Sequence, residues 1–201
     1  MGVKKNKDIR LQVPGGETTV LLHTCCAPCS SAIIEAMIKD GITPVIYYCN
    51  PNIYPQEEYE IRKNECTRYA RSLGLEIVDA DYDHENWLDA VKGLEGEPER
   101  GGRCLRCFKI RLLRTARYAA QRGIRVITTT LASSRWKSLD QINEAGRWAC
   151  QQIVPPDGKV IWWDHNWRKN GLQERRLQII KEYDFYNQLY CGCEFSMRKE
   201  D

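Results

Sequence analysis

The chain has 201 residues, of which 42% are hydrophobic and 28% are charged, and its formal net charge is only +3. This composition excludes an intrinsically disordered chain, and no apolar run approaches the roughly 18 residues that span a membrane. We expect a single domain over 1–201, long enough for a sizeable hydrophobic core, with the core of the domain running from about 18 to 196.

The N-terminal segment 1–10 is charged and lacks the apolar stretch of an export signal, so we expect a cytoplasmic location. Thiols stay reduced in that compartment. The ten cysteines therefore favour metal binding or redox chemistry over disulfide bonds.

Short apolar runs alternate along the chain with stretches of helical periodicity. The runs predict strands over 19–23, 44–48, 75–79, 125–130 and 159–163. Helices are predicted over 28–40, 56–73, 83–91, 104–122, 138–149 and through most of 164–189, with a loop over 93–102. This alternation predicts an α/β fold, a parallel sheet of about five strands with helices on both faces.

The active site of such a sheet lies outside the carboxyl ends of its strands. That rule selects the segments that follow four of the predicted strands, which are 23–29, 49–52, 79–82 and 128–134. Cysteines lie in the first two of these segments.

Seven of the ten cysteines fall in three tight groups, which are Cys25, Cys26 and Cys29, then Cys104 and Cys107, then Cys191 and Cys193. The first group lies at a strand-to-helix junction, where free N–H groups and the helix dipole stabilise thiolates or an anionic cluster. The second group opens a helix but lies outside its apolar stripe of Leu105, Phe108, Leu112, Ala116 and Ala119. These positions favour metal ligation over core packing.

The number of grouped thiols limits which metal they can bind. Seven thiolates exceed the four ligands of one structural zinc and fall short of two all-cysteine zinc sites. They suit a four-iron cluster with three or four cysteines, together with a second metal that keeps an open position. A structural zinc remains the alternative, and Cys49, Cys66 and Cys150 are interpreted as small buried hydrophobes.

A basic segment runs from Arg100 to Arg125 without an acidic residue. On its helix, Arg106, Arg114 and Arg117 share the face opposite the apolar stripe, with Lys109 at the edge of that face. Phosphate binding is the functional interpretation, and a solvated helix face is the alternative.

Aromatic and basic residues also alternate shortly before the last cysteines. Trp162, Trp163 and Trp167 precede Arg168 and Lys169. These tryptophans either stack on nucleic-acid bases or pack in the core. Together with the basic helix, they favour a nucleic-acid partner.

Two further residues lie at the edge of the sheet where the active site is expected, and each has two interpretations. Asp81 follows the third strand and is predicted to be a metal ligand or a proton donor, with a turn or capping role as the alternative. His23 precedes the first cysteines and is either a ligand or a hydrogen-bonded strand residue.

Taken in order, the motifs resemble those of the QueH family of epoxyqueuosine reductases. They are His23-Thr-Cys-Cys-Ala-Pro-Cys29, Asn50-Pro-Asn-Ile53 with Glu58, Tyr59 and Arg62, Arg103-Cys-Leu-Arg-Cys-Phe108, Thr128-Thr-Thr-Leu131 with Ser133 and Ser134, and Tyr190-Cys-Gly-Cys193 with Ser196. The resemblance covers about 20–196. Each short motif is weak alone, but their combination is specific.

The resemblance implies a fold similar to adenine-nucleotide α-hydrolases (HUP-like) and a 4Fe–4S cluster with a second metal beside it, thought to be iron. It implies the last step of queuosine synthesis, in which epoxyqueuosine at the tRNA wobble position loses its epoxide oxygen. It also gives all seven grouped cysteines a metal-site role. The electrons would come from an external donor such as a ferredoxin or a flavodoxin.

Two other functions remain open at this point. One is an ATP-dependent tRNA-modifying enzyme of the same fold, which usually needs a glycine-rich pyrophosphate loop after the first strand. Residues 25–30 contain no glycine, which counts against it. The other is a non-catalytic RNA-binding module stabilised by zinc.

Overall fold

A five-stranded parallel sheet forms the centre of the computed structural model, which describes residues 10–154 and 158–197. The strands are β1 Thr19–Thr24, β2 Thr43–Tyr48, β3 Ile77–Asp79, β4 Val126–Thr129 and β5 Ile161–Trp162. Their order is β3-β2-β1-β4-β5, and every neighbouring pair is parallel. The predicted α/β class and parallel sheet are confirmed, and the architecture is consistent with a HUP-like fold.

Six α-helices surround this sheet in the described part of the chain, and they are α1 Ala27–Lys39, α2 Gln56–Ser72, α3 His84–Val91, α4 Gly102–Gln121, α5 Leu139–Gln151 and α6 Leu172–Glu182. Right-handed crossovers put α1 and α2 on one face and α4 and α5 on the other. In agreement, α6 packs on α1, and α4 packs on α5. The chain reverses its direction across the sheet between β1 and β4, so the switch point lies beside the end of β1.

The apolar pattern of the sequence correctly located the core. Val20, Leu21 and Leu22 of the central strand have no exposed surface. On α4 the predicted stripe is buried from Phe108 to Ala119, and only Leu105 at its start is half-buried. No helix in the described ranges is long and apolar enough to cross a membrane.

The prediction of helix through most of 164–189 is wrong. The helix begins only after Gly171, which has a φ of 75°, and ends before Asp184, which has a φ of 49°. These left-handed residues break the helical path on both sides. The segment that carries the last cysteines is therefore irregular and depends on contacts with the rest of the protein. The charged N-terminal segment lies, up to residue 9, outside the described residues.

One close contact between a helix and the sheet gives a stability prediction. A Cβ on Gly146 of α5 would lie 2.2 Å from Cδ2 of Trp162 on β5. The indole cannot move away freely because its Nε1 donates to Asn143 Oδ1 at 3.1 Å. We expect Gly146→Ala to lower the free energy of unfolding by about 1–3 kcal/mol, the usual cost of overpacking.

Urea unfolding measures this effect. Gly96→Ala is the matched control, because nothing lies within 4 Å of its added Cβ and its φ is not in the left-handed range. Equal stability of the two variants would show that α5 does not press on Trp162 as described.

Candidate metal centre

The first cysteine group lies where β1 ends and α1 begins, beside the switch point of the sheet. Cys26 is the N-cap of α1 in an extended conformation, and Cys29 is in the first helical turn. Pro28 lies beside it, at a position where a missing N–H costs nothing. The sequence prediction of a strand-to-helix junction at these cysteines is confirmed.

Cys25, Cys26 and Cys29 form a triad whose Sγ atoms all lie within 4.8 Å of one another. The Sγ atoms of Cys25 and Cys26 are 3.9 Å apart. A tetrahedral site with metal–sulfur distances of about 2.3 Å has an edge of about 3.8 Å, so these separations suit one metal ion. Three protein ligands leave one coordination position open.

Hydrogen bonds inside the triad separate the pKa values of its thiols. Bonds to Cys26 and Cys29 hold the pKa of Cys25 well below its ordinary value, because they favour its thiolate. The bond to Cys25, with burial, raises the pKa of Cys29 to about 12. Gln188 adds a further donor, with Nε2 3.1 Å from Cys26 Sγ. The triad therefore already stabilises one thiolate.

The other four grouped cysteines line a single cavity, and they are Cys104, Cys107, Cys191 and Cys193. Their sulfurs are not gathered as tightly as those of the triad. In the described ranges, only the triad brings three candidate ligand atoms within 4.8 Å. Such wider spacing suits a cluster, which distributes its thiolates over several irons. All ten cysteines are free thiols.

Two cations, the buried Arg111 and the half-buried Lys137, face the cysteines, and sequence reasoning did not select either as a site residue. Lys137 Nζ lies 2.8 Å from Cys191 Sγ. Arg111 donates to Cys49 O at 3.2 Å and to Asn50 Oδ1 at 2.5 Å, with Nη1 4.0 Å from Cys107 Sγ. Burial alone would lower the pKa of Lys137, but the neighbouring Cys191 raises it above its ordinary value. Both side chains line the walls of the cysteine cavity.

A buried ion pair holds the C-terminal cysteine segment. Arg62 on α2 is 2% exposed, and its Nη2 lies 2.6 Å from Glu58 Oε1. The same guanidinium donates to Tyr190 O at 3.3 Å and Cys191 O at 3.4 Å. Gly192 then passes so close that an added Cβ would lie 3.2 Å from Arg62 Nη1, at a φ of +123°. Helix α2 thus fixes the loop between Cys191 and Cys193.

The alternatives at His23 are decided by its contacts. Its Nδ1 lies 2.7 Å from Thr129 Oγ1, and its Nε2 lies 3.0 Å from Cys49 O. Complete burial lowers its pKa to about 3, so the ring is neutral. Because protein partners occupy both nitrogens, His23 is a hydrogen-bonded strand residue that ties β1 to its neighbours.

Asp81 lies at the expected edge of the sheet, in the irregular segment between β3 and α3. Its φ is 58°, which aspartate tolerates better than most residues, and its side chain is exposed. It lines neither the cysteine cavity nor the groove described next. This position fits the turn role, and the metal or proton-donor role stays a prediction.

A groove of about 970 Å³ opens beside the triad and is lined by Cys25, Cys29 and Cys191. Arg111 and Lys137 also line it, so it shares a wall with the cavity of the other four cysteines. Cysteines of the first and third groups therefore line an opening large enough for a nucleoside-sized ligand, and the second group lines the adjoining cavity.

The residues predicted to bind nucleic acid have different surroundings. Arg106, Arg117 and Lys169 are exposed. Lys109 pairs with Glu144 at 2.8 Å, and Arg114 lies 3.8 Å from Asp83. Whether these side chains contact RNA stays a prediction.

The three tryptophans before the last cysteines are buried, which contradicts the interpretation that they stack on bases. Trp162, Trp163 and Trp167 are 9%, 4% and 0% exposed, so they cannot stack on bases. They pack in the core, and Trp167 Nε1 donates to Thr128 Oγ1 at 3.3 Å. Their alternation with charges is the ordinary pattern of a buried strand and its flanking loop.

Comparison with known proteins identifies one family. The family described as "Epoxyqueuosine reductase QueH" matches residues 20–199. Curated proteins of that name include one from Haemophilus influenzae, 48% identical over 189 residues that cover 94% of this chain and 76% of that protein. The Acinetobacter baylyi protein is 45% identical, covering 94% and 85%. The Thermotoga maritima protein is 34% identical, covering 89% and 90%.

Proposed function

Because this chain belongs to the QueH family of epoxyqueuosine reductases and is therefore an oxidoreductase, we propose that it reduces epoxyqueuosine to queuosine at the wobble position of tRNA. The epoxide loses its oxygen as water and leaves an alkene. That step consumes two electrons and two protons. An external donor such as a ferredoxin or a flavodoxin supplies the electrons.

The observation that carries this proposal is that the three cysteine groups line two adjoining cavities, which share the walls formed by Arg111, Lys137 and Cys191, at the switch point of the sheet. The donor set consists of thiolates, which suit iron–sulfur clusters and soft or borderline metals. We assign a 4Fe–4S cluster to Cys104, Cys107, Cys191 and Cys193, and a second metal, iron, to the triad. The compact triad fits one ion, and the wider set fits a cluster.

The chemistry divides between the bound groups and the protein. When bound, the cluster supplies single electrons, and the second metal supplies a Lewis acid for the epoxide oxygen. Arg111 offsets the negative charge of the buried Cys107 thiolate, and Lys137 does so at the more exposed Cys191. Arg62 holds the C-terminal cysteines in position, and the groove admits the nucleoside.

The test is an anaerobic reaction with tRNA that carries epoxyqueuosine and a chemical reductant. Nucleoside mass analysis should detect queuosine formed in a protein-dependent manner. A colourless protein that contains stoichiometric zinc and forms no queuosine would support the zinc-stabilised RNA-binding module instead. Binding of ATP by calorimetry would revive the ATP-dependent alternative, although cysteines occupy the place of its phosphate loop.

The basic face of α4 is proposed to contact the phosphates of the tRNA, with Lys109, Arg114, Arg168 and Lys169 in addition to its two exposed arginines. We expect Arg117→Gln to reduce the slope of log K against log salt by about 0.9, the contribution of one phosphate contact. Filter binding of tRNA over a salt series measures this slope. Arg71 on α2 is also exposed, and Arg71→Gln should leave the slope unchanged. An identical effect of both variants would show that the basic face of α4 does not contact the tRNA.

The predicted role of Asp81 has its own test. Asp81→Asn preserves the left-handed turn and removes the charge, so it separates chemistry from backbone strain. A proton donor or metal ligand at this position predicts turnover at least about tenfold lower, as general acid catalysis contributes more than that. Full turnover with full metal content would leave Asp81 with the turn role alone. Asp89→Asn on α3 is the control.

A further inference from the structure

The groove beside the triad has walls from three parts of the chain. One wall is the segment 130–137 after β4, another is α6, and the third is the segment 187–197 that carries the last cysteines. Because Cys25 and Cys29 belong to its lining, anything that fills the groove reaches the triad.

The charge of the groove is strongly positive. Among the described residues its charged lining consists of six cations and one acid, Glu99, and the cations are Arg62, Arg111, Arg135, Lys137, Arg168 and Arg176. The formal charge of the whole chain is only +3, so positive charge is concentrated here. A groove of this kind attracts an anion.

The six cations divide into an inner and an outer set. Arg62, Arg111 and Lys137 are already bonded to Glu58 or to the cysteine segments. The outer set consists of Arg135, Arg168 and Arg176, none of which forms an ion pair with a carboxylate among the described residues. These three remain for a ligand.

Backbone carbonyls fix two of the outer guanidinium groups. Arg168 Nη2 donates to Lys137 O at 2.7 Å, while its buried Nε has no hydrogen-bond partner. Arg176 Nε donates to Pro28 O at 2.9 Å. A guanidinium held on one side presents its remaining N–H groups in a fixed direction, which suits phosphate oxygens.

The rim of the groove is apolar. Trp136 is 63% exposed, Leu177 is 58%, Leu189 is 89% and Met197 is 43%. The guanidinium of Arg135 lies 4.9 Å from the centroid of the Trp136 ring. Exposed aromatic and apolar side chains beside phosphate-binding cations are the combination that single-stranded nucleic acids bind.

We infer that this groove binds the single-stranded anticodon loop of the tRNA, with a base next to the modified nucleotide stacked on Trp136 and phosphates bound by Arg135, Arg168 and Arg176. The inference rests on the proposed function and adds the surface by which the substrate is recognised. Trp136 lines both the groove and the cysteine cavity, so a base stacked there lies at the edge of the metal centre.

An acidic electron-donor protein is the competing occupant of a positive groove. The RNA is favoured because the modified nucleotide must reach the triad, whose cysteines line the groove, and because an exposed indole gives a face for a base. A donor protein needs only to approach the cluster.

The test measures binding and turnover separately. The probe is a labelled anticodon stem–loop RNA that carries epoxyqueuosine, with binding followed by anisotropy and turnover driven by dithionite. Trp136→Ala should weaken binding and raise KM by about tenfold, within the range of base–aromatic stacking, with kcat and iron content unchanged. Trp136→Phe should restore most of the affinity, because it keeps an aromatic face.

The charged part of the inference has a parallel test. Arg135→Gln and Arg176→Gln should each reduce the salt slope of RNA binding by about 0.7, and Arg71→Gln should not. Wild-type affinity of Trp136→Ala, or an effect that appears only with a protein donor and not with dithionite, would overturn the inference. If the wild type binds the stem–loop and never reduces it, the proposed function is wrong, but the inference that the groove binds RNA is retained.

Discussion

Alanine at Cys107 or at Cys29 is expected to reduce turnover of epoxyqueuosine by more than about a hundredfold. Loss of a residue that only supports a ligand already costs about 10–100-fold in metalloenzymes, and these variants remove the ligands themselves. The two should differ in what they lose. Cys107→Ala should lose the iron and sulfide of the cluster, whereas Cys29→Ala should lose the second metal and keep the cluster.

Turnover, iron, sulfide and electronic absorption of the anaerobically purified variants measure these effects. Cys150→Ala is the control, because this thiol lies on α5, lines neither cavity and is interpreted as a packing residue. If Cys29→Ala lost the cluster and Cys107→Ala kept it, the assignment of the two cysteine sets would be reversed.

The second large effect is expected at Arg62, whose guanidinium is bonded to Glu58 and to the C-terminal cysteine segment. Arg62→Met leaves Glu58 buried without its partner, and breaking a buried pair from one side costs about 3–5 kcal/mol. It also removes the donor to the carbonyls of Tyr190 and Cys191. We therefore expect lower stability and loss of the cluster together.

Urea unfolding of the metal-free protein and iron analysis of the purified protein measure the two effects. Arg68→Met lies on the same helix, and its pair with Glu65 is 3.0 Å long but exposed, so its removal should cost at most about 1 kcal/mol. Arg62→Met combined with Glu58→Gln should recover part of the stability. Full iron content in Arg62→Met would show that α2 does not position the C-terminal cysteines.

The sequence predicted local features better than it predicted distant contacts. Buried runs and turn residues located the five strands, and the rule for parallel sheets correctly selected the edge that carries Cys25–Cys29, because both depend on nearby residues. Arg111 looked like one more phosphate-binding residue in a basic run. Its contact with Asn50 spans 61 positions and exists only after folding.

Lys137 was missed for the same reason, since Cys191 lies 54 positions away. The tryptophans were ambiguous because a buried indole and an exposed one are alike in sequence. Trp162, Trp163 and Trp167 pack inside, whereas Trp136, which carried no motif, is exposed beside the groove. Only the tertiary structure distinguishes them.

The most direct test of the account is the metal content of the protein purified without oxygen. Seven cysteines arranged as a compact triad and a wider set predict about five irons and about four sulfides per chain, with the absorption of a 4Fe–4S cluster. A colourless protein that contains one zinc, with no iron and no sulfide, would contradict it.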